Sequence, residues 1–133
     1  MKKILLAEHC NIVTTAMQII VETELADCRL KIAETKTQLL HQLRDNEYDV
    51  VIIGPGKYSA GTAELLLEIN TLYPSLPLVF ISSYTTDHFR DNTHLSKVLK
   101  GHLFHDSPDY EIITALRKIM NGESYFSKSV VMG

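Results

Sequence analysis

Four short segments carry the side chains that could do chemistry: Glu8-His9-Cys10, Gly54-Pro55-Gly56, Ser82-Ser83 and His105-Asp106. Glutamate, histidine and cysteine are ligands for transition metals, so Glu8, His9, Cys10 and His105 would make a metal site if the fold gathered them. No metal-motif spacing supports that reading, and no metal is expected. The ordinary alternative is a hydrogen bond between His105 and Glu8. A third reading is proton sensing, because an unperturbed histidine pKa near ~6.5 lies close to physiological pH. Gly54-Pro55-Gly56 lacks the Gly-rich span and the Lys-Ser/Thr of a phosphate-binding loop, and reads as a turn. Ser82 and Ser83 would serve equally as phosphate contacts or as caps of the next loop. Cys10 fits a redox role less well than the commoner buried structural thiol. No nucleophile and base stand out as a pair, so an enzyme is not expected.

The elements that must position these segments follow from the hydrophobic pattern. Residues 4–7 read as a buried strand, and Asn11 as the cap of a helix with Ile12, Ala16, Ile19 and Ile20 on one face. Cys28, Leu30 and Ile32 alternate with Arg29 and Lys31, which predicts a half-exposed strand at a sheet edge. Thr35 or Thr37 opens a second helix with Leu39, Leu40 and Leu43 inward. Val50-Val51-Ile52-Ile53 is β-branched throughout and reads as a strand buried on both faces, stopped by Gly54-Pro55-Gly56. Residues 62–72 form a third helix with Leu65, Leu66 and Ile69 inward. Residues 78–81 form a fourth strand, after the turn bracketed by Pro74 and Pro77. Residues 86–100, polar and only weakly periodic, read as a fourth helix, and residues 102–104 make a short fifth strand. Ser107-Pro108 reads as a cap followed by proline at the first position of a last helix, which carries Ile112, Ile113, Leu116 and Ile119 and ends at Gly122.

These units alternate as strand and helix, which predicts a doubly wound α/β domain. Its best topology is flavodoxin-like: a five-stranded parallel sheet of order 2-1-3-4-5 with helices on both faces. The four chemical segments then fall at the carboxyl ends of the strands, where ligands gather in such folds. The domain is expected to span residues 1–122, with 123–133 beginning a linker.

Length and composition agree. A chain of 133 residues with 45% hydrophobic and 22% charged residues fits one globular domain. Lys and Arg number 13 against 16 Asp and Glu, a net charge of −3 that suggests neither a nucleic-acid nor a membrane surface. The two cysteines, Cys10 and Cys28, are too few for a disulfide framework. No apolar run approaches the ~20 residues of a membrane span, and no signal peptide is visible. A cytoplasmic location is expected.

From end to end the sequence resembles the receiver domains of bacterial response regulators, especially those that precede a LuxR-type helix-turn-helix. The resemblance lies in Lys3-Ile4-Leu5-Leu6-Ala7-Glu8-His9, in Asp49-Val50-Val51-Ile52-Ile53-Gly54, and in the run from Gly101 through Pro108. Gly122-Glu123-Ser124-Tyr125-Phe126-Ser127 is similar to the family's exit into its linker. The resemblance implies a phosphorelay role. Typically an aspartate ending strand three accepts phosphate, two acids after strand one hold Mg²⁺, a Thr or Ser ends strand four and a Lys ends strand five. Here the acceptor position is Gly54, the acidic pair is Glu8 and His9, the lysine position is His105, and the aromatic position that commonly rotates in signalling is His102. Only Ser82 matches its role.

The resemblance therefore implies a pseudo-receiver, a signalling and dimerisation module controlling a transcriptional output without aspartyl phosphate or a cofactor, Mg²⁺ included. Its partners would be a second copy and a histidine kinase or other signalling protein, with DNA contacted only through a further C-terminal domain. The dimer face would be the 86–100 region with the last strand and helix, or the first and last helices. Two alternatives stand beside it. One is a receiver with a displaced acceptor, Glu8 being the nearby carboxylate because Asp49 begins its strand at the opposite end. The other is a small-molecule-binding flavodoxin-like domain, although Glu8-His9-Cys10-Asn11 lacks the Ser, Thr and Gly run such a loop needs. Lys57, Tyr58, Tyr84 and Phe89 would offer a partner surface near the same end, or ordinary packing.

Overall fold

The computed structural model describes residues 1–8, 10–54, 62–82, 97–104 and 106–127, and all their side chains except those of Thr62, Ala63 and Ser82. Its elements run β1 (Lys2–Ala7), α1 (Asn11–Glu24), β2 (Cys28–Ala33), α2 (Lys36–Asp45), β3 (Val50–Ile53), α3 (Thr62–Leu72), β4 (Leu78–Ser82), β5 (Gly101–Phe104), α4 (Asp109–Met120) and β6 (Tyr125–Phe126). All neighbouring strands are parallel, in the order β2-β1-β3-β4-β5-β6. The doubly wound sheet of order 2-1-3-4-5 is therefore present, with one short strand added beyond the expected five. Most of the stretch 86–100 lies outside the described residues.

Two apolar layers cover the sheet, because period-2 side chains leave every central strand with two faces to bury. Ile4, Leu6, Val50 and Ile52 pack under α1 and α4, while Leu5, Val51, Ile53 and Phe80 pack under α2 and α3. Every residue of β3 is fully buried, as its β-branched run predicts. β2 alternates buried and exposed residues at the sheet edge, as its pattern requires.

Three local expectations need correction. Asn11 is the first residue of α1, not its cap; Cys10 holds the cap position without a side-chain bond. The buried face of α1 is Thr14, Met17, Ile20 and Val21, so of the four residues placed inward only Ile20 is there; Ile12 and Ile19 face outward. The helix is apolar on more than one side, and periodicity alone cannot say which stripe meets the sheet. The cap of α4 is Pro108. Ser107 instead turns its hydroxyl back to accept the Phe104 N–H at 3.1 Å. In α2, Thr35 is the cap, accepting the Gln38 N–H at 3.1 Å.

α4 stops at Gly122 by a left-handed turn, with φ of 93°. Gly122 N–H donates to Ile119 C=O at 3.0 Å and Glu123 N–H donates to Lys118 C=O at 2.9 Å. That pair of bonds is the Schellman arrangement, which satisfies carbonyls that the helix leaves orphaned. A Cβ at Gly122 would meet nothing within 4 Å, so only the backbone angle resists substitution. Gly122→Ala is expected to lower stability by ~1 kcal/mol, read as a lower urea midpoint at unchanged m-value.

Candidate functional site

The carboxyl ends of β1 and β3 are neighbours, since β2 continues on the far side of β1. This is the topological switch point of the sheet. Gly54 N–H donates to Ala7 C=O at 2.9 Å and Glu8 N–H donates to Ala33 C=O at 3.1 Å. The ladder thus fixes Glu8 and Gly54 side by side, each one residue beyond its strand.

Glu8 is fully buried. Its Oε2 accepts the Cys10 N–H at 3.0 Å, which folds the carboxylate back over the start of α1. The rest of the side chain lies across Gly54. A Cβ built on Gly54 would collide with Glu8 Oε1, and would stand 2.8 Å from Cδ and 3.1 Å from Cβ of the same residue. The acid from position 8 thus lies where a side chain at position 54 would begin, with the far end of its flexible chain nearest. Gly54 permits this close approach and has no unusual φ.

The remaining site residues divide clearly. Ser82 ends β4 and pairs with Phe104 of β5, so its backbone lies at the same end of the sheet as Glu8 and Gly54. His9 and His105 lie outside the described residues, as do Pro55, Gly56, Lys57, Tyr58, Ser83, Tyr84 and Phe89. Asp49 sits at the opposite end, where it accepts the Lys3 N–H at 2.7 Å and lies 3.9 Å from Lys2 Nζ. Cys10 and Cys28 are both free thiols. Among the described residues no three of His, Cys, Asp and Glu converge as a metal would need. Among the described residues the switch point offers one carboxylate, that of Glu8, which accepts the Cys10 N–H and packs on Gly54.

His102 occupies the middle of β5 and is buried. Its ring stacks on Phe80 with centroids 5.8 Å apart, and meets the edge of Phe104 at 4.9 Å. Burial disfavours the imidazolium and lowers the His102 pKa to about 4. Its backbone is tied to the segment that follows α4: Ser127 N–H donates to His102 C=O at 2.8 Å, and Tyr125 N–H to Lys100 C=O at 2.9 Å. The carboxylate of Glu111, in the first turn of α4, accepts both the Tyr125 hydroxyl at 2.8 Å and the Ser127 hydroxyl at 2.9 Å. Burial and the Glu111 bond push the Tyr125 phenol up to about 12. Sequence reasoning missed this clamp. The paired aromatics Tyr125-Phe126 after a glycine stop were the available signal, since aromatic residues favour strands.

With this geometry in view, the fold is that of the CheY-like receiver domains. The isolated REC domain of RcsB from Salmonella enterica serovar Typhimurium superposes with a TM-score of 0.81 at 17% identity, over 96% of this chain and 94% of that one. A LuxR family DNA-binding response regulator from Silicibacter pomeroyi gives 0.79 at 19% identity, over 96% and 98%. A CheY-like receiver domain protein from Methanospirillum hungatei JF-1 gives 0.79 at 13%, over 92% and 95%. No protein-family model and no curated protein matches the sequence. Among the described residues no helix is long and apolar enough to cross a membrane.

Two predictions follow from the packing. Gly54→Ala forces a methyl into the buried Glu8 side chain and should cost ~1–3 kcal/mol. Glu8→Ala should relieve that clash, so a double-mutant cycle on urea unfolding should show the two changes coupled by at least ~0.5 kcal/mol rather than additive. His102 is neutral in the native protein where the unfolded chain, titrating near 6.5, takes up a proton. Its depressed pKa therefore leaves stability intact above about pH 6.5, with a progressive loss as pH falls towards 4. Between about pH 7.5 and pH 5 the loss from this group should be ~2 kcal/mol, and His102→Phe should remove that part of the pH dependence.

Proposed function

We propose that the chain is an atypical receiver domain of a response regulator, a signal-transduction module that works without aspartyl phosphorylation. The observation that carries this reading is the Glu8–Gly54 contact. Position 54 has no side chain to accept a phosphoryl group, and the space for one is taken by Glu8. Phosphoryl transfer needs a reachable nucleophile and a cation to neutralise developing charge. On this reading the module is regulatory rather than enzymatic and works without Mg²⁺.

A two-state fold can still be switched by any ligand or partner that binds one state more tightly. The input here is therefore a signalling protein or small molecule, received in the cytoplasm at the Glu8, His9, Gly54, Ser82 and His105 end. His102 is the relay position, because its ring packs on β4 while its carbonyl holds the exit segment. Output passes along that segment to a transcription-regulating domain that contacts DNA, in a homodimer.

One observation favours the second reading, a displaced acceptor. Glu8 brings a carboxylate against Gly54, where a receiver would hold its own. Full burial and the bond to Cys10 argue against it, since a phosphodonor must reach the attacking oxygen.

Both readings meet in one experiment. Incubation with acetyl phosphate and Mg²⁺, followed by intact-mass measurement, should show no added phosphoryl group and no change in oligomeric state. A stable single-phosphate adduct that disappears in Glu8→Gln would establish Glu8 as the acceptor and overturn the phosphate-independent reading.

A further inference from the structure

A cavity of about 380 Å³ opens at the β1–β2 margin of the sheet, at the end away from Glu8 and Gly54. Strand register builds one of its walls. Lys3 of β1 pairs with Arg29 of β2, and Lys31 stands two residues further along, beside Leu5. Leu5 belongs to the apolar layer under α2 and α3, so the period of two puts all three cations on that side of the sheet. All three are exposed, and none is held in an ion pair among the described residues.

Gln42 of α2, Asn46 just past it and Tyr48 make the other wall. Gln42 Oε1 accepts the Tyr48 hydroxyl at 2.6 Å and the Asn46 side-chain amide at 3.2 Å. Those two bonds use the oxygen and fix the amide, which leaves the Gln42 NH2 as the group still able to bond. The Gln42 backbone carbonyl, at the end of the helix, is satisfied by Asn46 N–H at 3.0 Å. Among the described residues no carboxylate lines this cavity. Asp45, Glu47 and Asp49 line an adjoining one, where Asp49 accepts the Lys3 N–H and Asp45 pairs with Arg44.

The bonding capacity left in the cavity is therefore mostly that of donors and positive charge. We propose that it is a binding site for a small molecule carrying a diphosphate group, such as a nucleoside diphosphate. Neighbouring strands stand ~4.8 Å apart and alternate residues of one strand ~6.6 Å apart, so cations on this lattice straddle two linked phosphates. The guanidinium of Arg29 can take one phosphate by its planar fork, with Lys3 and Lys31 as point charges around the other. The volume falls within the ~300–1,000 Å³ of small-molecule pockets. Since the cations face solvent, binding is modest and weakened by salt. The site is remote from the switch point, so this inference goes beyond the proposed function and does not depend on it.

The test is an amide NMR titration of the whole chain with pyrophosphate, ADP and adenosine, in metal-free buffer at low salt. Pyrophosphate and ADP are each expected to bind once, with the largest shifts at Lys3 and at residues 29–31 and 42–48. Adenosine, without the anion, should not bind. Arg29→Gln and Lys31→Gln should each weaken both ligands by at least about fivefold. Lys118→Gln, which removes an exposed charge from α4, is the control and should leave binding unchanged. Unaltered amide shifts away from the cavity will show that the variants are folded. Failure of pyrophosphate to bind saturably up to about 5 mM would overturn the proposal. So would shifts centred elsewhere, adenosine binding as tightly as ADP, or a loss in Lys118→Gln equal to that in Arg29→Gln.

Discussion

The ladder between β1 and β3 governs what the switch point can be. Its hydrogen bonds set Glu8 and Gly54 next to one another, and a side chain added at position 54 would have to move the Glu8 carboxylate. Position 54 carries no side chain and position 8 lays a buried acid across it. This is a packing solution as much as an electrostatic one. The carboxylate is anchored by a backbone N–H, and an interior packed to crystal-like density has little room for an alternative arrangement. An acid placed at position 54 would therefore meet the Glu8 carboxylate first.

From that point a chain of contacts runs outward through the fold. Gly54 follows β3, β3 pairs with β4, and Phe80 of β4 stacks on His102 of β5. His102 in turn holds Ser127 through its carbonyl, and Glu111 of α4 grips the same segment by two hydroxyls. Each step is a strand pairing, a ring contact or a hydrogen bond.

The sequence was most legible where one principle acted alone. β3 could be read because four consecutive β-branched residues admit little but a strand buried on both faces, and α2 because Thr35 and its leucines carry both a cap and a stripe. α1 was misread because it carries two apolar stripes, and choosing between them needs the sheet it packs on. Proline misled at Ser107-Pro108, where the cap moved one residue onward and the serine hydroxyl served the preceding strand. The switch-point residues were identifiable from their positions, yet the occupation of the Gly54 space by Glu8 was not. It depends on the register of two strands more than forty residues apart in the chain. The Glu111 clamp was hidden for the same reason, since its partners become neighbours only when Tyr125 and Phe126 join the sheet.

The added strand also bears on where the folding unit stops. A sheet edge with unpaired N–H and C=O groups is a template for pairing with other chains. At one margin β2 blunts that hazard with the exposed charges of Arg29 and Lys31. At the other, Gly101, His102 and Leu103 offer no charge, and Tyr125–Phe126 covers the backbone there. Cutting the chain at Gly122, where the last helix ends, would strip that cover and leave an apolar, neutral margin open to aggregation. Residues that read as the beginning of a tether thus supply the backbone partner of β5.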